Sequence, residues 1–460
     1  MMDGTAGRTP EAYTHAAQFE ELADALLRAE ASVDRTSLYL RAEASDFLRF
    51  NHAALRQATT VQQAYATIAV ERGLRRAEST LTLSGEPGID ARRLQEERTL
   101  LVGQLDLIPD DPWLLRPDAA TRSHRDERGT LPAAEGVIAQ VHELAGGEPK
   151  PDFVGFYAGG PVIHAFADSL GSRHWHRVES FHFDWCLYHR ADKAVKTAYA
   201  GRHWDKTAFA AKLEDAKRQV PLLQREARTL SPGKYRVALS VSAMVDLLAL
   251  LSWGGFSLKA RRTGVSSLMR LERGDAHFDP RFTLEEALGS GTAPAFTATG
   301  FLRPERVALV QDGKMPATGG TLNSPRSAAE YHVQHNGAGE EEFPDSLHLA
   351  GGNIAHGALL ETLDTGLYVS NLWYLNYSDR QAGRMTGMTR FACFWVEHGR
   401  LIAPIHVMRF DDEALRMFGA GLVGLTDSPE FRPNSDTYGS RQLASITTPA
   451  AIIDGFQLTL

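Results

Sequence analysis

The sequence predicts an α+β protein, with an N-terminal α/β domain built on an antiparallel sheet and a β-rich C-terminal domain. Three observations predict it. At roughly 150 residues per domain, 460 residues make about three domains or two large ones. The first half mixes helical and strand periods, whereas the second half is mostly strand. Ser231-Pro232-Gly233 punctuates the chain between them. The expected domains are therefore 1–230 and 231–460.

The elements follow in order. Residues 10–30 carry Leu22, Ala25, Leu26 and Ala29 on one stripe, with Pro10 near the start, as an amphipathic helix does. Residues 37–51 read as two strands, and 59–83 as a β-rich run. Residues 89–107 and 133–144 read as helices. Between them, 109–132 is rich in Pro, Asp and Arg without an apolar period, and reads as a loop or substrate-facing excursion. Residues 152–200 read as an antiparallel meander with strands at 153–157, 162–167 and 181–189, turned at Gly159-Gly160 and Gly171. A polar helix over 207–229, kinked at Pro221, leads to the boundary.

Residues 237–256 hold one charge, Asp246, in an otherwise apolar run. Placing that aspartate mid-membrane would cost about 2.5–3.5 kcal/mol. The alternation of Val237, Leu239 and Val241, followed by a helical period, instead predicts a buried strand–helix pair. Farther on, 367–377, 389–396 and 400–408 form a meander with a tight turn at Glu397-His398-Gly399. Phe391, Cys393 and Trp395 on one face, and Ala392, Phe394 and Val396 on the other, predict a strand covered on both sides. A short helix over 412–418 follows.

Composition removes several function classes. Hydrophobic residues make up 43% and charged residues 23%, ordinary for a soluble globular chain. Forty-nine basic against 57 acidic residues, a formal charge of −8, argue against a phosphate-backbone binder. Two cysteines, Cys186 and Cys393, exclude a disulfide scaffold or a Cys-rich zinc module. The start lacks the apolar stretch of a signal peptide, so the expected compartment is the cytoplasm, with neither nucleic acid nor membrane as partner.

The chemistry-bearing motifs are sparse. His174-x-His176 shares one strand face, and His332-x-x-His335 precedes Glu340-Glu341-Glu342, so each is a possible metal pair. Neither has zincin spacing or a fixed third ligand, and partly exposed, hydrogen-bonded histidines are the plainer reading of both pairs. No G-x-S-x-G, P-loop or Rossmann glycine pattern occurs, and both cysteines fall in apolar strands as inert core fillers.

The stretch Tyr374 to Ile405, YLNYSDRQAGRMTGMTRFACFWVEHGRLIAPI, resembles the signature of the TldD/PmbA family, described as modulators of DNA gyrase and linked to peptide maturation. Tyr235-Arg-Val-Ala-Leu, GVSSL from Gly264 and Gly366-Leu-Tyr-Val-Ser-Asn-Leu match by order and spacing. Glu397-His-Gly-Arg-Leu-Ile is one residue longer than the family pattern. The family's TldD-type members carry H-E-x-x-x-H on a helix and a later Cys as zinc ligands, whereas TldE (PmbA)-type members lack them and pair with TldD. Here the resemblance places Ala249 and Gly254 at the two His positions, Leu250 at the Glu position and Tyr438 at the Cys position.

The resemblance thus implies a TldE-type subunit with no metal or catalytic residue of its own. Zinc and activity would come from a TldD-type partner in a heteromeric metallopeptidase that processes or degrades peptides. This chain would close the substrate chamber and help bind extended peptide. Asn376, Tyr377, Asp379, Arg380, Arg384 and Thr386, in a polar loop between apolar strands, are the expected substrate contacts. Two alternatives remain at this level: a metal-free homodimeric binding or regulatory protein, and a stand-alone hydrolase using His332 and His335.

Overall fold

The computed structural model describes residues 13–27, 31–146, 152–190 and 193–460. The first sheet is built from β1 (Arg35–Asn51), β2 (Ala54–Arg72), β3 (Arg75–Thr82), β4 (Arg122–Glu127), β5 (Asp152–Asp168), β6 (Arg173–Arg190) and β7 (Lys193–Gly201). Its order is β3-β2-β1-β5-β6-β4, with β7 sharing the β4 edge of β6. Helices α1 (Ala16–Leu26) and α2 (Pro87–Gln104) cover one end, and α3 (Ala134–Ala145) and α4 (Lys206–Gln219) the other. Residues 10–12 and 28–30 of the first predicted helix lie outside the described residues.

Four sequence expectations change here. Residues 37–51 form one strand rather than two, and 153–167 likewise form one. Gly159-Gly160 is not a turn. β1 and β5 keep register across it, from Glu43–Val162 to Asp46–Gly159, with the pairs between left open. Gly160 sits at φ +137, and a Cβ there would collide with the Ala44 carbonyl. Pro161 has no N–H to offer the ladder. The gap is filled from the other half of the chain, where the buried Arg441 donates to the carbonyls of Gly160 (2.8 Å) and Ser180 (2.7 Å). The loop expected over 109–132 contains β4, which pairs parallel with β6. Its alternating exposed and half-buried residues show no apolar period because it is an edge strand. The fourth helix stops at Gln219 and continues only as a 3-10 turn through Pro221, whose ring cannot extend it.

The C-terminal part opens with β8 (Gly233–Leu239) and α5 (Val241–Ser252), the expected strand–helix pair. Strands β9 (Leu284–Ala287), β10 (Arg306–Val310) and β11 (Ser346–Leu349) precede β12 (Gly366–Val369), β13 (Asn371–Asp379), β14 (Arg384–Arg390), β15 (Phe394–Glu397), β16 (Arg400–Pro404), β17 (Arg409–Glu413), β18 (Leu422–Leu425), β19 (Glu430–Pro433), β20 (Ser445–Thr448) and β21 (Ala451–Leu458). They form a five-stranded sheet, β10-β9-β11-β20-β19, and a nine-stranded one, β13-β14-β17-β21-β8-β12-β15-β16, with β18 on β21. The predicted strand over 389–396 is broken at Phe391, at φ +64. Its two apolar faces are covered as expected: Cys393 joins the core under α5, and Ala392 and Phe394 enter the aromatic core of the N-terminal half beside Phe181, Phe183 and Phe209. No helix among the described residues is long and apolar enough to cross a membrane.

Candidate functional site

α5 leaves the middle of the nine-stranded sheet. Ser240 caps it, accepting from the Ala243 N–H (3.2 Å) while donating to the Ser370 carbonyl (2.5 Å). Ala243, Met244, Leu247, Leu248 and Leu251 are fully buried. Ser242, Val245, Asp246, Ala249 and Trp253 form the less buried side, at the 3.6-residue period of one helix face. β13, an edge strand of its sheet, lies along this helix. The Tyr377 hydroxyl donates to the Leu250 carbonyl (2.8 Å), and the Leu372 N–H donates to Asp246 Oδ2 (3.2 Å). β13 and α5 thus form the two walls of a groove, with exposed aromatic rings from both: Trp253, Trp373 and Tyr374.

Of the four positions where the resemblance puts zinc ligands or the base, the three at the end of α5 are chemically blank. Ala249 presents a methyl group on the exposed face, and Leu250 is buried in the core. Gly254 ends the helix at φ +78, and the Arg380 guanidinium rests against it, with Nη2 2.5 Å from where a Cβ would stand. Arg380 is fixed there by donating to the Trp253 carbonyl (2.7 Å) and by stacking over the Trp253 ring. Tyr438 is 94% exposed and sits over the N-terminal sheet with Arg41 and Tyr65, where Gln63 donates to the adjacent Gly439 carbonyl. A methyl, an isobutyl and a hydrogen supply no lone pair, and a fixed guanidinium repels a cation. These residues do not fit a zinc ion.

The six expected substrate contacts lie not in a loop but on the β13–β14 hairpin, five of them in its paired strands and Arg380 in the turn, and they divide in two. Asn376 and Asp379 are exposed. The other four are engaged within the protein. Tyr377 and Arg380 hold the end of α5, Arg384 pairs with Glu413 (2.5 Å), and Thr386 donates to the Phe410 carbonyl (2.9 Å).

All four histidines of the two candidate pairs are engaged within the protein. His174 bonds Ser123 Oγ (2.8 Å) and stacks on Phe296, while His176 Nε2 bonds the Thr292 carbonyl (2.9 Å). Burial pushes both down to about 4. His332 caps a helix beside Trp113, and His335 packs edge-on against Phe301. Glu342 of the acidic run is buried, accepting from Ser257 Oγ and the Ser324 N–H, so the loop carries a structural anchor. Among the described residues no group of three His, Cys, Asp or Glu is placed to hold a metal. Burial pushes the thiols of Cys186 and Cys393 up, away from the thiolate a nucleophile needs.

Sequence reasoning missed a cleft at the start of the groove. Asp246, Asn371, Trp373 and Arg390 meet Asp184, Lys196 and Arg432 there, in a cavity of about 310 Å³ between the two halves of the chain. The one available signal was Asp246, a lone charge inside an apolar run. Burial raises its carboxyl to about 6.

Residues 232–460 match the model of the PmbA/TldA metallopeptidase C-terminal domain. The C-terminal half of this chain belongs to the PmbA/TldD family. The fold of the whole chain is similar to that of TldE from Thermococcus kodakarensis, at a TM-score of 0.78 and 14% identity, covering 97% of this chain and 100% of that one. A Thermotoga maritima protein described as a modulator of a DNA gyrase gives 0.72 at 14% identity, covering 92% and 96%. A Bacteroides thetaiotaomicron protein of like description gives 0.71 at 12%, covering 96% and 97%. No curated protein matches the chain. Within the PmbA/TldD fold, α5 and the edge strand β13 are the elements that build the groove described above.

Proposed function

We propose that this chain is the non-catalytic, TldE-type subunit of a heteromeric TldD/TldE zinc metallopeptidase that processes or degrades peptides in the cytoplasm. It carries no cofactor, and zinc belongs to a TldD-type partner. The observation that carries the reading is the end of α5, where Ala249, Leu250 and Gly254 supply neither metal ligand nor base and the Arg380 guanidinium lies against Gly254. Without a Lewis acid and a general base, amide hydrolysis has no driver at this site.

What the chain's own residues do is bind and orient. β13 presents an unpaired edge to which an extended peptide adds by main-chain hydrogen bonds, a mode that tolerates many sequences. Trp253, Trp373 and Tyr374 offer aromatic faces along it, and Asn376 and Asp379 polar contacts at the hairpin. The remaining hairpin residues, Tyr377, Arg380, Arg384 and Thr386, hold that wall in place.

The test is a pull-down from the source cell with metal analysis and a peptide cleavage assay. The expected result is a stable complex with an H-E-x-x-x-H protein, zinc in the partner, and cleavage only by the pair. Stoichiometric zinc and cleavage by the isolated chain overturn the reading. A complex containing only copies of this chain, with no peptidase, favours the homodimeric binding protein.

A further inference from the structure

The cleft at the start of the groove holds charges of both signs, of which Asp246, Asp184, Arg390 and Lys196 make no direct ion pair among the described residues, although Lys196 lies near enough to both carboxylates to favour their charge. Asp246 is oriented by the Leu372 N–H and has no ion-pair partner among the described residues. Asp184, across the cleft, has none either, and burial raises both carboxyls. Facing them, Arg390 lies over the Trp373 ring, 4.0 Å from its centroid, with no carboxylate paired to it among the described residues. Lys196 is exposed at the rim.

Three buried polar atoms on residues lining the same cleft lack a hydrogen-bond partner among the described residues: Asn371 Oδ1, His182 Nε2 and Arg432 Nε. Asn371 is 7% exposed and His182 4%. Leaving a buried polar group unsatisfied is costly, and leaving a desolvated carboxylate unpaired costs more. Several such groups gathered in one concavity mark a ligand site rather than a packing accident.

We propose that this cleft binds a small zwitterion of dipeptide size. The α-ammonium sits against Asp246 and Asn371 Oδ1, and the α-carboxylate against Arg390 and Lys196. A single molecule carrying both termini compensates both sets of charges, which a simple anion or cation does not. The inference deepens the peptide reading, on which it rests for the origin of the ligand, because short zwitterions are what peptide hydrolysis releases. Its chemistry needs no partner subunit.

The experiment is calorimetric titration of the full-length chain alone with Ala-Ala, N-acetyl-Ala-Ala and Ala-Ala amide. Saturable binding of Ala-Ala is expected, weakened about tenfold or more by blocking either end. Equal binding of all three, or no saturation by Ala-Ala at about 10 mM, which would leave less than about 3 kcal/mol of affinity, overturns the proposal. Asp246→Asn should abolish the preference over the acetylated form, and Arg390→Gln that over the amide. Should either variant fail to fold, the blocked dipeptides on the native chain still decide. Failure here leaves the pull-down result standing, and failure there leaves this titration standing.

Discussion

Gly254 concentrates the residue-scale argument. At φ +78 an L side chain costs roughly 1–2 kcal/mol, and its Cβ would meet the Arg380 guanidinium. Gly254→Ala should therefore lower unfolding stability by about 2 kcal/mol in urea titrations. In an Arg380→Ala background the loss should shrink toward the backbone part alone, giving a coupling a double-mutant cycle can read. The same geometry explains why grafting His and Glu onto α5 would not by itself build a zinc site. Arg441 is the second such residue. It is buried and donates to Gly160 and Ser180 across the gap in the first sheet. Arg441→Ala should cost about 3–5 kcal/mol, since it orphans buried carbonyls and empties a large volume. Chemical denaturation measures it.

At the scale of elements, α5 and β13 decide the site together. α5 starts at Ser240, whose hydroxyl both caps the helix and ties it to Ser370 between β12 and β13. Ser240→Ala should cost about 1–2 kcal/mol, the range of a lost cap, and should loosen amide protection in the first turn of α5 ahead of global unfolding. The sequence read 367–377 as one strand, but the structure splits it at Ser370 into β12, in the middle of the sheet, and β13, on its edge. Neither the split nor the edge position was legible, because both depend on which strands pair next to each segment. Its irregularity is also tertiary: the register shifts between Trp373 and Asn376, with Tyr374 at φ +58. Such bulges re-aim side chains, and here Trp373 and Tyr374 are left exposed beside the groove.

Over the whole molecule, the two halves are joined by buried polar contacts, and histidines are prominent among the buried polar groups. His174, His176 and His182 are buried on β6, and His164 lies on β5 beside Tyr39. Burial holds them neutral, pushing His174 and His176 down to about 4 and His164 and His182 to about 3. An unfolded histidine titrates near 6.5. Above that value both states are neutral. As pH falls below it the unfolded chain takes up protons that the folded chain refuses, so stability is lost progressively between about pH 6.5 and 4. Asp246 and Glu286, raised to about 6 and about 7, act in the opposite sense, because the folded state holds their protons to higher pH. Four histidines outweigh two carboxyls, so melting temperature should fall on acidification through this window. His174→Gln with His176→Gln should flatten that slope, as thermal melts across pH would show.

The sequence by itself determined the fold class, a strand–helix pair within 237–256 and the absence of ligand-bearing side chains at Ala249, Leu250 and Gly254, because period and side-chain chemistry are local properties. It misread Gly159-Gly160 as a turn, and it did not reveal that β4 pairs with β6 or that Asp184 and Asp246 face one cleft. The first depends on Arg441 entering a gap 281 residues away in the chain, and the last on two halves closing over groups neither can satisfy alone. Such pairings are set by the summed packing of distant segments, which leaves no period for a sequence to display.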